Sequence, residues 1–265
     1  MTRVTESVSS SDLLSAAEEL ARLTGGVALQ HYRSALDVER KADGSPVTAA
    51  DRAAEQAARE WVRRHFPQDG VLGEEFGEER LGARRRWIID PIDGTKSFVR
   101  GVPLWGSLVA LCEGETVLAG AAFFPAVEEL VVAAPGVGCW WNGRRCSASS
   151  VGELTAATAL TTDERFRHHP VRRAAWERLG TRVDVARSWG DCYGYLLVAT
   201  GRAEIMCDPE LSPWDAAALQ PIIAEAGGTF TDWSGRPTAF GGSAIATNRP
   251  LAGEVRAVLA ERGAD

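Results

Sequence analysis

The segment Trp87-Ile88-Ile89-Asp90-Pro91-Ile92-Asp93-Gly94-Thr95 holds the densest chemistry in the chain. An apolar run ends in a carboxylate, Pro91 stiffens the exit, and a second carboxylate follows three residues later. Gly94 admits an unusual backbone angle, and Thr95 can start a helix. Two carboxylates on one stiff turn can point at one spot. There they repel, unless a cation sits between them or one keeps a proton. Hard oxygen donors without His or Cys favour Mg²⁺ over zinc. A plainer reading stays open at this point, in which Asp93 forms an Asx-turn and Asp90 caps a helix.

Further acids recur at element ends. Gly73-Glu74-Glu75 directly follows Val71-Leu72, Asp215 follows Pro213-Trp214 at a helix start, and Asp51 opens an Ala-rich helix. Taken singly, each is an ordinary strand end or a helix N-terminal acid facing the macrodipole. Other chemistries find little footing: among four His and five Cys there is no HExxH and no CxxC, and no GxSxG elbow occurs. Cys112, Cys139, Cys146, Cys192 and Cys207 are odd in number and widely spaced. They read as free thiols in a reducing cytoplasm rather than as a disulfide framework or a zinc site. His168-His169 precedes Pro170 in an expected surface loop and receives no role.

The elements that must position these acids follow from periodicity and punctuation. Ser11 is expected to cap a helix carrying Leu13, Leu14, Ala17, Leu20, Leu23 and Val27, weakened at Gly25-Gly26. A short strand over Leu36 to Lys41 leads into a Gly44-Ser45-Pro46 turn. Thr48 and Asp51 form a capping-box variant for a helix that stops before Pro67. Short apolar runs follow at Val71-Leu72, Trp87 to Ile89, Ser107 to Cys112 and Val117 to Phe124. The last two make a hairpin across Glu113 to Thr116, and Asn142-Gly143 signals a type I′ turn.

Beyond about residue 150 the chain alternates. Strands are expected at Ala159 to Thr162, Val183 to Ala186, Ala203 to Cys207, Gly228 to Asp232 and Ala244 to Thr247. Helices are expected at Val171 to Leu179, Tyr193 to Thr200, Trp214 to Ala226 and Leu251 to Arg262, the third bent by Pro221. The pattern implies a layered α/β (α+β) protein forming a single catalytic unit over residues 1–265, with an N-terminal lobe of about 1–150 and a C-terminal lobe of about 151–265.

Composition narrows the function classes. The chain has 265 residues, 36 Asp and Glu against 29 Lys and Arg, and a net charge of −7. That acid excess argues against a nucleic-acid binder. No apolar run approaches the ~20 residues needed to span a bilayer, and the polar stretch Met1 to Ser11 has no signal-peptide core, so a cytoplasmic location is expected. Lys41 and Lys96 are the only lysines.

Gly73-Glu74-Glu75, Asp90 to Thr95 and Trp214-Asp215-Ala216-Ala217-Ala218 together resemble the inositol monophosphatase-like family of Mg²⁺-dependent phosphatases, whose signatures are GEE, DPIDGT and WDxAA. The resemblance runs from the first helix to the closing helix and implies an αβαβα sandwich of the inositol monophosphatase/fructose bisphosphatase type. It further implies two or three Mg²⁺ per site. Glu74, Asp90 and the Ile92 carbonyl are expected to hold the first ion. Asp90 would bridge to a second on Asp93 and Asp215, and a weaker third would rest on Glu74. Asp51 and Thr95 match the pair that orients the attacking water, and the Gly94 and Thr95 amides are expected to receive the phosphate. A homodimer is likewise implied.

Outside the signatures, Asp69 to Gly77, Asp93 to Trp105, Arg187 to Tyr195 and Asp208 to Asp215 look like the histidinol-phosphatase branch of histidine biosynthesis. A substrate bearing an amine and an imidazole wants carboxylates beyond those on metal. Asp191 is a candidate for the amine, with capping of a helix as its other reading. Asp208, Glu210 and Arg187 are further candidates, and Asn248 could hydrogen-bond the imidazole. Hydrolysis of myo-inositol 1-phosphate is the alternative, with nucleotide 3′-phosphates and fructose bisphosphate behind it. A regulatory protein that kept the fold but lost turnover would show damaged ligands, and an acidic interaction protein would spread its acids over exposed faces.

Overall fold

The computed structural model describes residues 9–34, 38–40 and 46–261. Lys41 and most of the expected Gly44-Ser45-Pro46 turn lie outside these residues. Helix α1 (Ser10–Leu29) is capped by Ser9, not Ser11. Only Ser9 has an acid at the third helical position: its Oγ accepts from the Asp12 amide, and Asp12 Oδ2 accepts from the Ser9 amide and hydroxyl. The helix continues through Gly25-Gly26. A Cβ on Gly25 would lie 2.7 Å from Phe123 Cδ1, so the missing side chain lets α1 approach the sheet beneath.

Strands β1 (Val38–Arg40) and β2 (Pro46–Thr48) pair antiparallel and lead into α2 (Ala49–His65). The Thr48/Asp51 capping box is present as expected. An eight-stranded sheet follows from β3 (Gly70–Gly73), β4 (Gly77–Glu79), β5 (Arg85–Asp93), β6 (Gly106–Glu113), β7 (Thr116–Phe124), β8 (Glu129–Ala134), β9 (Gly138–Trp141) and β10 (Arg144–Arg145). The four-residue helix α3 (Thr95–Phe98) leaves the end of β5. Sheet order is β10-β9-β8-β7-β6-β5-β3-β4, and only β3 with β5 is parallel. Asn142 and Gly143 turn between β9 and β10 with φ of +47° and +75°, as a type I′ turn requires.

The second sheet has β11 (Thr158–Leu160), β12 (Val185–Arg187), β13 (Ile205–Asp208), β14 (Thr229–Thr231) and β15 (Ala244–Thr247), in the order β12-β11-β13-β15-β14. It is mixed: β11 runs parallel to both neighbours, and β15 antiparallel to both of its own. Helices α4 (Pro170–Gly180), α5 (Asp191–Ala199), α6 (Pro213–Ala216), α7 (Leu219–Glu225) and α8 (Ala252–Ala260) complete the chain.

The cores stack into five layers. Helices α1 and α2 cover one face of the first sheet through Leu13, Leu20, Trp61 and Val62 against Trp87, Ile89, Val109 and Leu111. Ile88, Leu108, Ala110 and Cys112 point the other way, onto α5 and α7 and through them to Met206 and Ala246 of the second sheet. Trp176 of α4 and Val255 of α8 close its outer face. The order is therefore αβαβα.

Because the first sheet is buried on both faces, its strands read as continuous apolar runs without alternation. Strand β8, whose run Leu130 to Ala134 is of the same kind and is buried throughout, is an element the sequence analysis does not name. The expected single helix from Trp214 is two, α6 and α7, parted at Ala217-Ala218. Pro221 has no amide to offer and crowds the carbonyl four residues back, which is Ala217. Among the described residues no helix is long and apolar enough to cross a membrane.

Candidate active site

Parallel pairing of β3 with β5 is the first step in building the site. Gly73 pairs with Ile89, so Glu74 leaves the end of β3 beside Asp90, which stays in β5 paired with Leu108 of β6. The Glu74 amide donates to the Ile89 carbonyl at 3.2 Å and fixes that junction. A bulge between Asp90 and Asp93 then carries β5 through Pro91 and turns both acids toward one point. Asp215 arrives from the first turn of α6. Asp90, Asp93 and Asp215 each offer an oxygen, and the three atoms lie within 4.8 Å of one another.

A backbone amide anchors one oxygen of each acid. Asp90 Oδ1 accepts from the Ile92 amide at 3.0 Å, Asp93 Oδ2 from the Cys192 amide at 2.5 Å, and Asp215 Oδ2 from the Ser212 amide at 2.6 Å. Of the plainer reading, only the Asx-turn is present, and it is made by Asp90; Asp93 is held by the Cys192 amide in the first turn of α5. Neither caps a helix.

Burial is the largest influence on all three. It raises Asp90 well above the usual carboxylate range, with Glu74, Asp93 and Asp215 pushing it further. Burial, Asp191 and Asp215 raise Asp93 against the pull of the Cys192 amide. Asp215 is pushed up to about 7 by burial and Glu74, opposed by the Ser212 amide. Clustered oxygen donors that repel one another suit a hard divalent cation, so the residues present fit Mg²⁺.

Around this cluster, Asp51 is buried on α2 and its pKa is raised by burial and by Glu74, while bonds from Thr48 oppose the rise. Asp51 Oδ2 accepts from the Thr48 amide at 2.8 Å and hydroxyl at 2.7 Å. The Thr95 hydroxyl donates to the Ile92 carbonyl at 2.9 Å. These bonds leave Asp51 and Thr95 each tied to a neighbour rather than to one another. Gly94, at φ +87°, starts α3; a Cβ there would sit 3.2 Å from Asp191 Oδ2.

The cluster opens into a cavity of about 810 Å³ lined in part by Asp93, Lys96, Asp191, Asp208, Glu210 and Asp215. Asp191 is not the cap of α5; that place belongs to Gly190. Asp191 sits at φ +51°, its amide donating to Thr162 Oγ1 at 2.9 Å. Burial and Asp208 push it up to about 7, against the pull of Lys96.

The remaining expected contacts fare differently. Asp208 lines the cavity, but Oδ1 accepts from the Thr162 amide at 3.0 Å and Oδ2 from the Tyr195 hydroxyl at 2.9 Å. Arg187 is exposed on the edge strand β12, donates to the Ala186 carbonyl, and is not part of the cavity wall. Asn248 is fully buried away from it: Nδ2 donates to Ser149 Oγ and the Val151 carbonyl, and Oδ1 accepts from the Leu251 amide. Asn248 thus ties the start of α8 to a distant loop.

The loop of residues 162–169, expected at the surface and without a role, belongs to the cavity. Buried Phe166 plugs the loop between Trp176 and Trp233, and Arg165, Arg167 and His168 thereby reach the cavity rim. His168, given no role from sequence, lines the wall. Nothing near it in sequence signals this, because the anchoring rings come from α4 and from beyond β14.

A layered α/β scaffold that gathers carboxylates at one cavity suits metal-assisted hydrolysis, and its relatives make the class a phosphoric monoester hydrolase. The chain belongs to the inositol monophosphatase family, whose model matches residues 9–263. It is 43% identical to a histidinol-phosphatase of Chlorobaculum parvum over 88% of this chain and 90% of that one. It is 42% identical to a histidinol-phosphatase of Mycobacterium tuberculosis over 90% and 92%. In structure it superposes on an inositol monophosphatase from Zymomonas mobilis with a TM-score of 0.85 at 32% identity, over 94% and 98% of the two chains.

Proposed function

We propose that this phosphatase hydrolyses L-histidinol phosphate to L-histidinol and phosphate, using two or three Mg²⁺. Glu74, Asp90 and the Ile92 carbonyl would hold one ion, Asp90, Asp93 and Asp215 a second, and Glu74 a weaker third. The observation that carries the reading is one cavity lined by Asp93 and Asp215 of the carboxylate cluster and, beside them, by Asp191, an acid outside the proposed ligand set. The two histidinol-phosphatase relatives support the same choice. The similarity in fold to an inositol monophosphatase keeps myo-inositol 1-phosphate as the second reading.

Bound Mg²⁺ would lower the pKa of an attacking water and offset the phosphate charge. The chain's own groups do the rest. Asp51 and Glu74 feel one another's charge and share the task of holding the water and receiving its proton. The Thr95 hydroxyl, fixed on the Ile92 carbonyl, aligns that water. Amides of Gly94 and Thr95 receive phosphate oxygens where α3 begins. The water oxygen bonds to phosphorus, the ester oxygen leaves, and a proton returns to it. Asp191 pairs with the substrate amine and sets which ester is held.

The molecule works as one catalytic unit with lobes of about 1–150 and 151–265, a homodimer in the cytoplasm. All five cysteines are free thiols, in keeping with a reducing compartment.

The test is phosphate release from histidinol phosphate and myo-inositol 1-phosphate, side by side with Mg²⁺. Histidinol phosphate is expected to have the higher kcat/KM, and the reverse order would sink the assignment. Asp191→Ala is expected to cost about 10- to 100-fold in kcat/KM on histidinol phosphate alone. Equal loss on both esters would make Asp191 a structural residue.

A further inference from the structure

We infer that Glu55 and Arg59 are positioning residues for Glu74, acting through the turn that carries it. The inference rests on the proposed role of Glu74 as a metal ligand.

Helix α2 presents Asp51, Glu55 and Arg59 at four-residue intervals, so the three share one face. All three are buried, and that face meets the tight connection between β3 and β4. Glu55 Oε2 accepts from the Glu75 amide at 2.7 Å, and Oε1 accepts from the Phe76 amide at 3.2 Å. Arg59 Nε donates to Glu55 Oε1 at 2.8 Å. Arg59 Nη2 donates to the Gly77 carbonyl at 2.5 Å and Nη1 to Glu79 Oε2 at 3.2 Å. The turn is thus gripped at residues 75, 76, 77 and 79 from one helix, while the Glu74 amide is tied to the Ile89 carbonyl on the other side.

The Glu74 main chain is thus held on both flanks, and its carboxylate leaves from a point beside Asp90. Gly73 shows how close the fit is: a Cβ there would lie 2.0 Å from Glu55 Oε1. The same helix carries Asp51 one turn before Glu55. One rigid rod therefore sets the spacing of Asp51 and Glu74, the two acids proposed to manage the attacking water. A buried ion pair contributes little net stability when a hydrophobic pair of similar volume could replace it, yet breaking it is costly. Here both partners are committed to main-chain groups of the turn, a use that no hydrophobic pair could serve.

The experiment follows the melting temperature of the full chain against Mg²⁺ concentration, with Mg²⁺ alone as the probe, alongside turnover. Glu55→Gln and Arg59→Met are expected to raise about tenfold or more the Mg²⁺ concentration at which stabilisation sets in, the midpoint of binding, as loss of ligand-orienting partners does. At saturating Mg²⁺ the KM for the ester should stay within about twofold of the parent. Arg59→Lys, which keeps the charge beside Glu55 but not the fork to Gly77 and Glu79, is expected to fall between the two and covers the case of a variant that does not fold. Glu79→Gln touches only the outer, half-exposed end of the network and should shift the midpoint by less than about threefold.

A purely structural ion pair would lower the melting temperature equally at every Mg²⁺ concentration and leave the midpoint in place; that result for Glu55→Gln or Arg59→Lys overturns the inference. Glu74→Gln separates the two levels. An unmoved Mg²⁺ midpoint in Glu74→Gln defeats the ligand role of Glu74 itself, whereas a moved one beside an unmoved Glu55→Gln defeats the clamp alone.

Discussion

A carboxylate has two oxygens, and at this site that settles what looked like a choice between roles. Asp215 serves as the acid of a capping box and Asp90 as an Asx-turn acceptor, yet each turns an oxygen into the shared cluster. The anchoring amide is what aims the other oxygen. The residues that failed to reach the cavity failed for an equally local reason: Asn248 has its amide fully engaged around the start of α8, and Arg187 lies on an exposed edge. Asp93→Asn tests the cluster in two opposed ways. It should cut turnover by about 100-fold or more, while removing one of three clustered, mutually repelling acids should raise the Mg²⁺-free melting temperature. Near-parental turnover in this variant would contradict the proposed ligand set.

Elements bring these residues together by close approach. Strand β7 meets the break between α6 and α7 at Gly120, where a Cβ would lie 2.4 Å from the Ala218 carbonyl. Gly120→Ala should therefore push α6 and its Asp215 off the sheet, costing about 1–3 kcal/mol and several degrees of melting temperature. A loss of stability without any fall in Mg²⁺-dependent turnover would show that α6 tolerates the shift. Past β14, burial pulls Asp232 upward, but bonds from Ser234 and from the Arg236 amide and guanidinium win and hold it at about 2. The folded value lies below the ordinary one of about 4. Its contribution to stability is thus complete above pH ~4 and is lost as pH falls toward 2. Melting temperatures from pH 5 to 2.5 should decline less steeply in Asp232→Asn than in the parent.

At the scale of the molecule, five layers place the cluster where the first sheet's β3 and β5 end and where α5 and α6 begin, so both halves of the chain build one cavity wall. The net charge of −7 is concentrated there in part: Asp90, Asp93 and Asp215 bring oxygens within 4.8 Å of one another, and the charge of Glu74 acts on Asp90. Binding of Mg²⁺ to the folded chain alone should stabilise it by RT ln(1 + [Mg²⁺]/Kd), or about 2.7 kcal/mol at a hundredfold excess over Kd. Thermal melts should accordingly rise by several degrees on adding Mg²⁺ and return on chelation. A melting temperature indifferent to both would refute the proposed ion sites.

Residue order alone determined the acids, their separation along the chain, most strands and helices, and the family signatures. Those are local matters of punctuation and capping, and the Thr48/Asp51 box, the Asn142-Gly143 turn and the β6–β7 hairpin all formed as read. Tertiary structure decided what depends on contacts distant in sequence. It brought Glu74 beside Asp90 through a parallel pairing and seated the 162–169 loop by plugging Phe166 into rings from other elements. It also withdrew Asn248 and Arg187 from the cavity. Periodicity reports the environment of a residue along its own element. Which side chains finally face one another is set by how the layers stack, and no spacing within one element encodes that.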